Sequence, residues 1–84
     1  MKKITYTKKA MKDLAKMPAN AQKNVRAKIN QYATDPASLA NNVIKMTGEP
    51  GYRLRVGDYR VRFDEYDTVI DIWRVLPRGQ VYKK

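Results

Sequence analysis

Between Tyr52 and Phe63 the chain reads YRLRVGDYRVRF, two alternating runs separated by Gly57-Asp58. Alternation of apolar and charged residues with a period of two is the pattern of a strand with one buried face. Gly-X between two such runs is a two-residue hairpin turn. A turn this short permits one register. Val56 faces Tyr59, Arg55 faces Arg60, Leu54 faces Val61 and Arg53 faces Arg62. Leu54, Val56, Tyr59, Val61 and Phe63 then point to a core, and all four arginines point the other way. Like charges directly opposite each other destabilise a sheet, so this chain tolerates a cost at that face.

The rest of the chain supplies what such a hairpin packs against. Lys3 to Tyr6 reads as a short strand, and Thr7 as the N-cap of a helix from Lys8 to Met17. Ala10, Met11, Leu14 and Met17 form its apolar stripe, and Pro18 stops it. A second helix from Ala19 to Ala33 turns Ala21, Val25, Ile29, Tyr32 and Ala33 inward and Lys23, Arg26 and Lys28 outward. Asp35-Pro36 ends it, because the residue before proline disfavours the helical region. Residues 36–50 read as a connector, tacked to the core by Leu39, Val43 and Met46. After the hairpin, the turn at Asp64–Asp67 leads into a strand over Thr68–Leu76, the most apolar segment and the expected central strand. Pro77–Gly79 breaks it, and Gln80–Tyr82 is a further short terminal strand. The expected fold is α+β, with an N-terminal helical hairpin packed on a small antiparallel sheet in the order β-α-α-β-β-β. One domain spanning 1–84 is expected at this length.

Charge and missing residue types narrow the chemistry. With 18 Lys+Arg against 8 Asp+Glu, the formal net charge is +10 over 84 residues. That excess favours a polyanionic partner. No apolar run approaches the ~18 residues of a membrane span, and the N-terminus lacks the continuous apolar core of a signal peptide, so no membrane role is expected. There is no cysteine, which fits a cytoplasmic protein. There is no histidine either, so acid–base chemistry falls to Tyr, Lys, Arg, Asp or Glu and a zinc site is not expected.

Two readings of the arginine face compete. In one, the arginines are a solvated face whose stems cover apolar surface. In the other they form a phosphate-binding surface, since guanidinium forks grip phosphate oxygens bidentately and stay charged. Asp64, Glu65 and Asp67 lie at the opposite end of the hairpin, too far along the strands to pair with Arg55 and Arg60. Arg78, just past the last long strand, extends the basic surface, and Tyr82 offers a hydroxyl or a stacking ring.

The segment GYRLRVGDYRVRF, followed by an apolar strand and PRGQVY, resembles the RelE family of bacterial type II toxins, within the wider RelE/ParE superfamily. LAKMPANAQKNVRAKINQYATDP is similar to the family's helix, proline turn, helix and Asp-Pro stop. The resemblance implies a cytoplasmic toxin that enters the ribosomal A site and cuts mRNA, using the RNA's own 2′-hydroxyl, without metal or other cofactor. It implies catalytic roles for Arg60, Arg78 and Tyr82; on the phosphate-binding reading of the basic face, Arg53, Arg55, Arg62, Lys83 and Lys84 are the expected RNA-binding residues. Ribosome-dependent members carry lysines on the strand before the turn. Here Gly51 or Tyr52, Arg53 and Arg55 stand there, and an arginine does not readily give up its proton. Tyr82 is left as the titratable candidate, its reference pKa of ~10 lowered by positive neighbours. The implied partner is a cognate acidic antitoxin, held by a segment that folds on contact. Two other readings of the same fold are a ParE-like poison of DNA gyrase and a nucleic-acid-binding module without catalysis.

Overall fold

The computed structural model describes residues 1–79. In chain order it contains β1 (Lys3–Tyr6), α1 (Lys8–Ala15), α2 (Ala19–Thr34), a 3-10 segment (Pro36–Asn42), β2 (Val43–Lys45), β3 (Tyr52–Val56), β4 (Tyr59–Glu65) and β5 (Val69–Pro77). The expected terminal strand Gln80–Tyr82 lies outside the described residues.

Helix α1 starts where expected because Thr7 caps it. The Thr7 hydroxyl accepts the Ala10 N–H at 3.1 Å and donates to the Trp73 carbonyl at 2.8 Å. One side chain thus starts the helix and pins it to β5. The helix is shorter than expected, and Met11, expected inward, is 46% exposed. Ala10 and Leu14 fill the line facing the sheet, and an eight-residue helix has no room for a wider stripe. Gln22 ties the hairpin together by donating to the Leu14 carbonyl at 2.7 Å. Val25, Ile29, Tyr32 and Ala33 of α2 are buried as the helical period requires. Arg26, expected on the outer face, lies over the Tyr6 ring at 5.2 Å, a cation–π contact.

The sheet order is β1-β5-β4-β3-β2. Two expectations are corrected here. The sheet is mixed rather than antiparallel, because β1 runs parallel to β5; a parallel pair needs a long crossover, and everything from α1 to β4 supplies it. The centre is β4, with β5 an interior strand between β1 and β4. The connector contributes β2, an edge strand pairing Val43 with Leu54 and Ile44 with Arg53.

A bulge interrupts the β4–β5 pairing. Arg62 faces Arg74 while Phe63 faces Ile72, leaving Trp73 as the extra residue on β5. The bulge lets Ile72 and Val75, three residues apart, both bury in the core. The Trp73 ring rests against Gly51, where φ is +90° and a Cβ would lie 2.7 Å from the Phe63 carbonyl oxygen and 2.8 Å from Trp73 Cζ3. Only glycine fits there.

Candidate nucleic-acid interface

Strands β3 and β4 pair in the register that the Gly57-Asp58 turn demands, Arg53 with Arg62 and Arg55 with Arg60. The apolar residues between them, Leu54, Val56, Val61 and Phe63, are buried. The four arginines therefore share the face away from the core, yet they do not form one group. Arg53, Arg55 and Arg60 line a hollow of about 140 Å³ whose remaining walls are Asn41, Asn42 and Ile44.

Arg60 is anchored within this hollow. Its Nη1 donates to the Gly57 carbonyl at 2.8 Å and to the Tyr59 carbonyl at 2.9 Å. Those bonds fix the guanidinium against the hairpin turn and leave Nε and Nη2 to meet an anion. Arg55 is exposed on the same face.

Arg62 differs. Its side chain is 21% exposed, Nη2 stands 3.8 Å from Glu49 Oε2, and the buried Nε has no hydrogen-bond partner. It packs beside the hollow rather than lining it. Arg74 continues its row across β5 but is already matched: Nε donates to Asp13 Oδ2 at 2.8 Å and Nη2 to Oδ1 at 3.1 Å. The Asp13 bonds raise the Arg74 pKa above its ordinary value. Sequence reading missed this residue, because only the bulge places Arg74 opposite Arg62.

Arg78 is exposed, and its backbone N–H donates to the Asp58 carbonyl at 2.6 Å. The same Gly57-Asp58 turn thus holds the Arg60 guanidinium and the Arg78 backbone. Tyr82, Lys83 and Lys84 lie outside the described residues.

Asp64 and Glu65, expected in a turn, are the last residues of β4 and are committed elsewhere. Glu65 accepts from Lys2 Nζ at 2.5 Å and from the Tyr32 hydroxyl at 2.7 Å. Burial opposes its charge, but the Lys2 and Tyr32 bonds outweigh it and hold Glu65 below the usual carboxylate pKa. Asp64 accepts the Glu65 N–H. Neither carboxylate is among the walls of the arginine hollow. A larger hollow of about 240 Å³ opens between α1 and the end of β5, with Asp13, Tyr59, Arg74 and Pro77 among its walls. Its Asp13 and Arg74 satisfy each other, so it has less to offer an anion. No helix among the described residues is long and apolar enough to cross a membrane.

Comparison with known proteins agrees with this architecture. Residues 4–82 match the family described as the ParE toxin of type II toxin-antitoxin systems. Toxin RelE3 of Methanocaldococcus jannaschii is 30% identical over 83 residues, covering 95% of this chain and 94% of that protein. The RelE–RelB complex of Pyrococcus horikoshii superposes at a TM-score of 0.74 with 28% identity, covering 94% of this chain and 97% of that one. The RelB–RelE antitoxin–toxin complex of Methanococcus jannaschii gives 0.73 with 26% identity, covering 94% and 95%. A family match over nearly the whole length, together with a RelE relative at 30% identity, establishes that this chain belongs to the RelE/ParE superfamily as a RelE-like toxin of a type II toxin–antitoxin system.

Proposed function

We propose that this toxin is a ribosome-dependent mRNA endonuclease that stops translation in the cytoplasm. The observation that carries the reading is the hollow that Arg53, Arg55 and Arg60 line together on one sheet face. An RNA phosphate placed there meets fixed positive charge on several sides. Such charge counts most when the phosphorus centre becomes a dianionic transition state.

The substrate 2′-oxygen forms the new bond to phosphorus and the bond from phosphorus to the 5′-oxygen breaks. A cyclic 2′,3′-phosphate and a free 5′-hydroxyl result. Arg60, held by the turn carbonyls, stabilises the phosphoryl oxygens. Tyr82, as the phenolate, takes the 2′-proton; the leaving 5′-oxygen, its charge neutralised by Arg78, takes a proton from water. Arg53, Arg55, Arg62, Lys83 and Lys84 hold the flanking backbone. No metal is required, since every charge in this scheme comes from the protein. A cognate acidic antitoxin silences the toxin, either by filling the arginine face or by bulk that bars entry to the ribosome; the two matched archaeal RelE–RelB complexes support the antitoxin partner.

The ParE description of the matching family favours a second reading, poisoning of DNA gyrase without RNA cleavage. Inducing the protein in cells and mapping new RNA 5′ ends separates the two. Codon-phased cuts within translated messages, lost in a folded Arg60→Ala variant, support the endonuclease. DNA damage with intact messages supports the gyrase reading.

A further inference from the structure

Three walls of the arginine hollow, Asn41, Asn42 and Ile44, are uncharged. Ile44 pairs with Arg53 across β2 and β3, so it stands on the arginine face. It is 48% exposed, so its apolar surface is available beside the guanidinium groups. Asn41 and Asn42 end the 3-10 segment directly before β2. Asn42 donates to the Arg55 carbonyl at a long 3.5 Å, which leans it over the strand that carries two of the arginines. The Asn41 amide has no hydrogen bond among the described residues, and the residue is exposed. The hollow, about 140 Å³, is roughly five water volumes at ~30 Å³ each, the scale of part of one nucleotide and too small for a duplex or a helix.

A carboxamide presents a donor and an acceptor side by side, the pattern that pairs bidentately with adenine. Single-stranded RNA is read in this way, by bonds to base edges and by contact with the face of a splayed base. We infer that Asn41, supported by Asn42 and with Ile44 beneath the ring, reads an adenine whose phosphate is gripped by Arg53, Arg55 and Arg60. The inference rests on the RNA-cleaving reading above and adds a base preference to it. Charge in the hollow supplies affinity for any RNA, and the asparagines supply the choice among bases.

The test is direct binding of the purified toxin to short single-stranded RNAs that differ at one base, adenine against uracil, cytosine or guanine. The native chain should prefer the adenine RNA by ~5- to 100-fold. Asn41→Ala, at an exposed position, should keep the fold and bind the uracil RNA as before while losing the adenine preference. Arg55→Ala should instead weaken all RNAs together and flatten the salt dependence. Equal affinity of the native chain for all four RNAs, a preference for another base, or an adenine preference that survives in Asn41→Ala overturns the inference. So does failure to bind any of them. Codon-phased cleavage in cells, measured separately, still stands or falls on its own. An adenine preference without cellular cleavage would keep the base reader and remove the nuclease.

Discussion

Asp13 on α1 takes the place of a missing strand beside Arg74. Past Tyr6, β1 no longer borders β5, and the exposed strand edge is met by side chains. Asp13 accepts the Val75 N–H at 2.9 Å and both guanidinium bonds of Arg74. The carboxylate thus closes the sheet edge and holds α1 on it.

Removing that carboxylate should loosen helix and sheet together. Asp13→Ala leaves the Val75 N–H and the Arg74 guanidinium without their partner. With Arg74 38% exposed, water recovers part of the loss, and the expected cost is ~1–2 kcal/mol. Thermal unfolding should show a fall in Tm of ~5–15 °C. An unchanged Tm would mean that the edge does not need Asp13.

Arg62 should be dispensable for stability. It faces Arg53, and its Nε is buried without a partner. Arg62→Met keeps the stem and removes both burdens, so stability should rise by ~1 kcal/mol. Urea unfolding measures it; a loss of more than ~1 kcal/mol would show that Arg62 contributes net stabilising contacts.

Gly51→Ala should be among the most damaging single substitutions. The added Cβ meets the Phe63 carbonyl and the Trp73 ring at a backbone angle that side chains rarely adopt. The expected loss is on the order of 2–3 kcal/mol, with a changed tryptophan fluorescence as the ring moves. Native fluorescence and stability in this variant would contradict the packing described here.

The Lys2–Glu65–Tyr32 cluster should give stability two pH edges. Glu65 has a lowered folded pKa, so its contribution is present above the ordinary value of 4.5 and is lost as pH falls through the folded value. Tyr32 is raised above 10.0, chiefly by burial and then by its bond to Glu65, so its contribution is lost as pH rises past that point. Urea midpoints across pH should be flat between these limits. Glu65→Gln should flatten the acid edge; an unchanged acid edge would assign it to another carboxylate.

How much of this was legible in the sequence depended on whether the determining interaction was local. The hairpin register followed from two turn residues, and the Thr7 cap from one side chain at a helix start. Both expectations match the structure. The parallel β1–β5 pair joins segments more than sixty residues apart, and no short-range pattern announces it. Strand β2 is three residues long, set between an asparagine pair and a Gly-Pro-rich stretch, and exists only because β3 offers an edge. The arginines were visible as a face, but their division was not. Glu49 and the Trp73 bulge set Arg62 and Arg74 apart from Arg53, Arg55 and Arg60. Asn41 and Asn42 carried no signal until the fold placed them at the hollow.

The chemistry of the cut ends tests the central claim most directly. Ribosomes programmed with a defined message should be mixed with purified toxin in the presence of a metal chelator tolerated by the stalled complex, and the fragments' termini identified. Attack by the RNA's own 2′-hydroxyl predicts a 2′,3′-cyclic phosphate on one fragment and a 5′-hydroxyl on the other, with the reaction lost in folded Arg60→Ala. An intact message, or ends bearing a 5′-phosphate, would contradict the account.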